Sequence, residues 1–165
     1  MRLRLRLFAL RSGVLSCLLT LALAACAEPA APPALDAEAI HAELLAARGG
    51  TALRELATRL AAHGDAAVPV LVRWLDDPAR NVRETAAHAL GNLAPRTPEV
   101  VKALAARLED PDDYVRWKVI RALGRQRGVA REYLPAIRAI AEATRETEVV
   151  RAAAERAVLE IQEGP

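Results

Sequence analysis

The chain has 165 residues, enough for one domain, and 53% of them are hydrophobic while only 3% are aromatic. Ala and Leu supply most of that apolar content; both are strong helix formers, so the composition points to an all-α protein and away from a sheet. The formal net charge is +2, but Arg2, Arg4, Arg6 and Arg11 all precede residue 26 and no acidic residue does; beyond that point 19 basic residues face 21 acidic ones, so a whole-molecule nucleic-acid footprint is absent.

Residues 1–25 combine that basic start with an apolar run from Gly13 to Ala25, which has the length of a signal-peptide core and is short for a bilayer span. The run closes on Leu23-Ala24-Ala25-Cys26. These four residues resemble the lipobox of bacterial lipoproteins. The resemblance implies that Leu23, Ala24 and Ala25 are read by a signal peptidase, that the Cys26 thiol carries a diacylglycerol, and that its new amino group is acylated, with palmitate the expected chain type. Two or more acyl chains anchor stably where one binds reversibly. Cys17 would leave with the leader, so Cys26 would be the only mature cysteine and no internal disulfide could form. Ala27 follows Cys26, and the lack of an aspartate there implies the outer membrane over the inner one in a two-membrane cell, with the domain facing the periplasm. From Ala27 to Leu35, three prolines in nine residues exclude a helix and favour an extended tether of up to roughly 30 Å, at ~3.1 Å per residue. The expected division is therefore a leader over 1–25, a lipidated Cys26 with its Pro/Ala-rich tether over 26–35, and a folded domain over 36–165.

Within the domain, Leu75-Asp76-Asp77-Pro78-Ala79-Arg80-Asn81-Val82-Arg83 recurs 33 residues later as Leu108-Glu109-Asp110-Pro111-Asp112-Asp113-Tyr114-Val115-Arg116, and Ala89-Leu90-Gly91 recurs as Ala122-Leu123-Gly124. A weaker third copy has Val150-Arg151 and Ala157-Val158; its second helix has slipped by two residues, which points to an insertion around Thr144 to Thr147. Each unit reads as two helices. Val82, Ala86, Ala89 and Leu90 follow the 3.6-residue period, as do Val115, Val119, Ala122 and Leu123. Asp77 before Pro78 and Thr97 before Pro98 read as N-caps. The helices expected are roughly 36–47, 51–63, 66–76, 79–93, 98–109, 112–126, 130–143 and 147–162, giving four pairs of which the first is degenerate.

The pattern Leu-x-Asp-Pro-x-x-x-Val-Arg-x-x-Ala-x-x-Ala-Leu-Gly resembles the HEAT family, in particular the short HEAT-like repeats of phycobilisome lyases, over roughly residues 37–163. The resemblance implies a short right-handed α-solenoid of about four HEAT-like helix pairs. It also implies a structural ladder of turn aspartates and post-valine arginines, here Asp77 with Arg83 and Asp110 with Arg116, linking turns and neighbouring repeats. Arg151 has no matching aspartate.

Chemistry is sparse. Beyond Cys26 the chain has no serine and no further cysteine, which removes Ser and Cys nucleophiles. His41, His63 and His88 fall on different expected helices without metal-ligand spacing, His63 and Asp65 flank a glycine as a helix end and start do, and Gly49-Gly50 reads as a turn. No enzyme, cofactor or metal is expected, and no small-molecule substrate.

A partner surface is expected on the concave side that second helices build in solenoids. Stepping by four gives stripes Glu84, His88, Asn92, then Trp117, Arg121, Arg125, then Ala152, Arg156, Glu160. Trp117 occupies the slot that Glu84 fills one repeat earlier and is expected to face solvent, and a tryptophan beside arginines has the composition of a binding hot spot; Trp74 is a second candidate. Arg116, Lys118, Arg121, Arg125, Arg127 and Arg131 lie between Tyr114 and Arg131 with no acid among them, a local positive patch or a solvated face. The expected partner is an envelope protein, met by a membrane-anchored scaffold or assembly factor through Trp117, Arg121, Arg125, His88, Glu84 and Arg156. The alternatives are a lyase-like, chromophore-handling enzyme and a passive spacer.

Overall fold

The computed structural model describes residues 34–93 and 96–164; Leu23, Ala24, Ala25 and Cys26 lie outside the described residues, as does nearly all of the tether. The folded unit is Ala34–Pro165. Its helices come in four pairs: α1 (Ala37–Ala46) with α2 (Gly50–Ala61), α3 (Val68–Trp74) with α4 (Arg80–Asn92), α5 (Pro98–Ala105) with α6 (Asp113–Gln126), and α7 (Leu134–Glu142) with α8 (Glu148–Glu163). The second helices stack in order, α2 on α4, α4 on α6 and α6 on α8, and this stack is the backbone of a short α-solenoid. Among the described residues no strand is present, and no helix is long and apolar enough to cross a membrane.

The periodic positions form the core. Val82, Ala86, Ala89, Leu90, Val115, Val119, Ala122 and Leu123 are all buried, and the fourth pair adds Val150, Ala154, Ala157 and Ile161. Each fully buried Leu, Ile or Val contributes about 1.5–3 kcal/mol. The Ala-Leu-Gly triplets have a steric cause. A Cβ on Gly91 would lie 2.9 Å from both Cα and Cβ of Ala122, and one on Gly124 would lie 3.1 Å from the same atoms of Ala157. Glycine against alanine thus sets how closely successive second helices approach.

The first helices α3 and α7 start later than the periodicity suggests, whereas α5 starts as expected and ends early, at Ala105. Pro69, Pro98 and Pro135 sit in the first turn of α3, α5 and α7. Proline has no N–H to give, so the α-helical ladder starts at the turn containing it. Upstream of two of them the chain winds as 3-10 helix instead, over Gly64–Ala67 and Arg127–Tyr133. Thr97 is an N-cap, accepting from Val100 N–H. Asp77 is not; its Oδ1 accepts from Ala79 N–H at 2.8 Å and closes the Asp-Pro turn, while α4 begins after Ala79 without a side-chain cap. Asp110 makes the same turn with Asp112 N–H, freeing Asp112 to cap α6 through Tyr114 and Val115 N–H.

The ladder is present but shifted by one repeat. Arg83 grips Asp110 with both Nε (2.9 Å) and Nη2 (3.1 Å), and its Nη1 donates to the Asp77 and Pro78 carbonyls, so the Asp77 carboxylate is not its partner. That carboxylate instead meets His41 Nε2 at 2.7 Å. Arg116 likewise holds its own turn through the Asp110 carbonyl and reaches forward to Glu146, at 2.6 Å from Nη2. Arg151 closes on the Glu146 carbonyl. Glu146 stands five residues before Arg151 where Asp110 stands six before Arg116, and its extra methylene makes up the difference. Arg83 and Arg116 therefore each fasten their own turn to the next, and Arg151 closes the last turn.

Candidate interaction surface

The exposed side of the second-helix stack carries three rows of repeat-equivalent residues: Glu84, Trp117, Ala152; His88, Arg121, Arg156; and Asn92, Arg125, Glu160. Their environments differ along each row. α4 and α6 are each flanked by a neighbour on both sides, so their buried arc is wider than one apolar stripe, and residues at its margin go inside. Glu84 is one of them. It is 5% exposed, which corrects the expectation that it faces solvent.

The reason Glu84 can be buried is Lys118. Lys118 belongs to a column whose other members, Thr85 and Ala153, are buried, and its Nζ lies 3.8 Å from Glu84 Oε1. Burial raises the Glu84 carboxyl above its ordinary value, opposed by Lys118 and Arg80. Burial also lowers the Lys118 ammonium, opposed by Glu84.

Trp117 is half-buried, its ring packed against the core and its outer side covered by cations. The Arg121 guanidinium stands 5.0 Å from the ring centre and Lys118 Nζ 4.9 Å. Tyr114, one helical turn earlier, tilts against it at 4.9 Å and receives Arg80 at 5.0 Å. Cation–π contacts of this kind are worth about 0.5–2 kcal/mol each. Trp74, by contrast, is buried on α3 with His41 5.6 Å from its ring, so it is not a surface aromatic.

Around this cluster positive charge accumulates. Lys118, Arg121 and Arg125 line one shallow pocket with His88, and Arg121, Arg125 and Arg156 line the next with Glu160. Arg125 donates to Asn92 Oδ1, linking α6 to α4. Arg156 pairs with Glu160 at 2.8 Å. Arg121 is exposed and, among the described residues, has no carboxylate partner. His88 registers the field: burial, then the cations Lys118, Arg125, Arg121 and Arg54, lower its imidazole to about 4, so it is neutral at pH 7. Of the other basic residues in this stretch, Arg116 belongs to the ladder, Arg131 donates to the Gly164 carbonyl, and Arg127 lines a groove with Arg96, Arg125 and Glu160.

Tyr114, Arg80, Arg54 and Glu160 are part of this surface without having been singled out as partner-binding from sequence. The signal for Tyr114 is its spacing of three from Trp117; the signal for Arg54 is only its place on the second helix of a degenerate pair. No group of three or more His, Cys, Asp or Glu is disposed to hold a metal ion among the described residues.

Comparison with known proteins agrees with this architecture. The family model for HEAT repeats matches residues 43–124 and 94–159. An engineered protein whose crystal structure was solved by the Northeast Structural Genomics Consortium is similar, with a TM-score of 0.51 and 25% sequence identity over 76% of this chain. This chain spans 66% of the length of that one. No curated protein matches.

Proposed function

Because the chain belongs to the HEAT repeat family, we propose that it is a binding module, a lipid-anchored scaffold or assembly factor that captures a cell-envelope protein on the second-helix face around Trp117. The observation that carries this reading is the half-buried Trp117 with Lys118 and Arg121 stacked on it. A rigid aromatic ring with fixed cations beside it has the make-up of interface hot spots, in which large anchors at low entropic cost dominate affinity. Anchorage is supported by Leu23-Ala24-Ala25-Cys26 at the end of an apolar run, and a periplasm-facing, outer-membrane position by Ala27. A closer kinship to HEAT-like repeats of the phycobilisome-lyase type is supported by the Asp-Pro turns and the Val-Arg pairs that follow them. Binding is favoured over catalysis by the lack of serine and of any second thiol beyond Cys26.

The test is capture from crosslinked envelopes of the native host, comparing wild type with Trp117→Glu and Cys26→Ala. The reading expects one protein enriched by wild type and lost with a folded Trp117→Glu, and loss of acyl labelling and of membrane association with Cys26→Ala. Identical capture by wild type and Trp117→Glu would remove the binding face from the proposal, and unchanged acylation of Cys26→Ala would remove the anchor.

A further inference from the structure

We propose that the strip formed by Lys118, Arg121 and Arg125 on α6, extended by Arg156 on α8, docks an acidic segment of the partner polypeptide, laid down in extended conformation with a carboxylate at every second residue. This deepens the binding reading above and rests on it.

Beyond residue 26 the chain has more acidic than basic residues, yet this face concentrates cations, and the acids beside them are already engaged, Asp112 by Arg80 at 3.0 Å among them. Glu84 is buried under Lys118, and Glu160 is engaged by Arg156. Burial first, and then the cations Lys118, Arg125, Arg121 and Arg54, lower the His88 imidazole. A partner of opposite charge is the one such a surface attracts and orients.

The geometry then selects the kind of anion. The Arg121 guanidinium stands 5.0 Å from the Trp117 ring centre and, among the described residues, has no carboxylate partner, and Arg125 is braced by Asn92. Guanidinium groups fixed in this way present paired N–H donors that match a carboxylate bidentately, with little side-chain entropy left to lose. Along α6, Arg121 and Arg125 are one turn apart, ~6 Å at 1.5 Å per residue. In an extended chain, side chains two residues apart point the same way and are ~6.6 Å apart, a close match to that spacing. Ala122, Ala153 and Ala157 lie between the cations and are buried beneath them. A single phosphate would engage only part of such a strip. A membrane surface would be better served by long cations reaching outward around a fully exposed apolar wedge, whereas here Trp117 is half-buried with Lys118 and Arg121 beside its ring.

The experiment uses the full chain in non-ionic detergent at low ionic strength, where surface charges are least screened. A fluorescent decapeptide of alternating Glu and Ala is titrated by anisotropy, against a decapeptide of the same composition with its five Glu in one block, inorganic phosphate as competitor, and phosphatidylglycerol against phosphatidylcholine vesicles. We expect the alternating peptide to bind more tightly than the block peptide. Arg121→Glu and Arg125→Glu should each weaken it at least about tenfold, the order expected for one charge-assisted bidentate pair. Arg121→Gln should fall between, and Arg138→Glu on exposed α7 should leave binding unchanged. Thermal midpoints check that the variants are folded; Arg121 is exposed, so its variants keep the test valid if Arg125→Glu unfolds. Equal binding of both peptides, or of wild type and Arg121→Glu, overturns the proposal. So does Arg121-dependent binding to phosphatidylglycerol vesicles without peptide binding, which would assign the strip to lipid headgroups. Peptide failure alongside envelope capture that still depends on Trp117 would end this inference and leave the binding module standing, whereas failure of both would end both.

Discussion

Single residues hold this solenoid together at its turns. Arg83 and Asp110 are 12% and 1% exposed, and Arg116 and Glu146 are 15% and 6% exposed, so each pair sits where an unpartnered charge is costly. Removing one partner of a buried pair costs about 3–5 kcal/mol, since the other charge is left without water or counter-ion. Asp110→Ala should therefore lower stability by about that much, measured by denaturant unfolding, with the Asp112 N–H it also accepts adding to the loss. Glu146→Asp tests the reading of side-chain length. Shortening by one methylene should pull the carboxylate off Arg116 and destabilise almost as much as Glu146→Ala, whereas equal stability of Glu146→Asp and wild type would refute it. His88 makes a prediction about pH. Burial and the cations Lys118, Arg121 and Arg125 on α6 and Arg54 on α2 hold its folded-state value at about 4, below the ordinary value of 6.5. The unfolded chain binds a proton between those values and the folded chain does not, so His88 removes stability as pH falls from about 6.5 to about 4. Glu84, raised by burial, acts in the opposite direction, so the informative quantity is a difference. Wild type minus His88→Gln in thermal midpoint should become more negative across that window, and a flat difference would contradict the assignment.

At the scale of helices, close approach of α4, α6 and α8 depends on side chains that are not there. Gly91→Ala puts a methyl 2.9 Å from the backbone of Ala122, which cannot swing aside, and should cost about 1–3 kcal/mol of overpacking. Gly50→Ala at the start of α2 meets nothing within 4 Å and should hold or raise stability through better helix propensity. Chemical unfolding of the two variants separates a packing glycine from a merely permissive one. The existence, order and buried faces of these helices were legible in the repeat, because a 3.6-residue apolar period repeated at 33 residues leaves few other solutions. What was less legible depends on distance along the chain. The family resemblance implies a pairing of Asp77 with Arg83, but the Arg83 fork reaches a carboxylate 27 residues away. Glu84 looks like an outward residue by its step along α4, and only the neighbouring α6, with Lys118 in a buried column, takes it inside. Glu146 was hidden because the compensating change was in side-chain length as well as position.

For the molecule as a whole, the second-helix stack has two consequences. It fastens four helix pairs into one unit through repeated turn-to-turn links, and it lines up repeat-equivalent residues on one face. That face carries neither the turn ladder nor the close-packed glycines, and on it an indole, a phenol and cations gather on α6. That Trp117 and Arg121 belong together was readable from their spacing of four, as was the local run of basic residues. Lys118 as the lid over Glu84, and Arg54 as a contributor from α2, required the packing of helices far apart in sequence. The most direct test of the central claim, that this face is where a partner binds, is photo-crosslinking in the native envelope with benzoylphenylalanine placed at residue 117 or at residue 138. Trp117 lies within the cation cluster, and Arg138 is exposed on α7. One discrete adduct is expected from residue 117 and none from residue 138; adducts of equal yield from both, or from residue 138 alone, would contradict a binding site on this face.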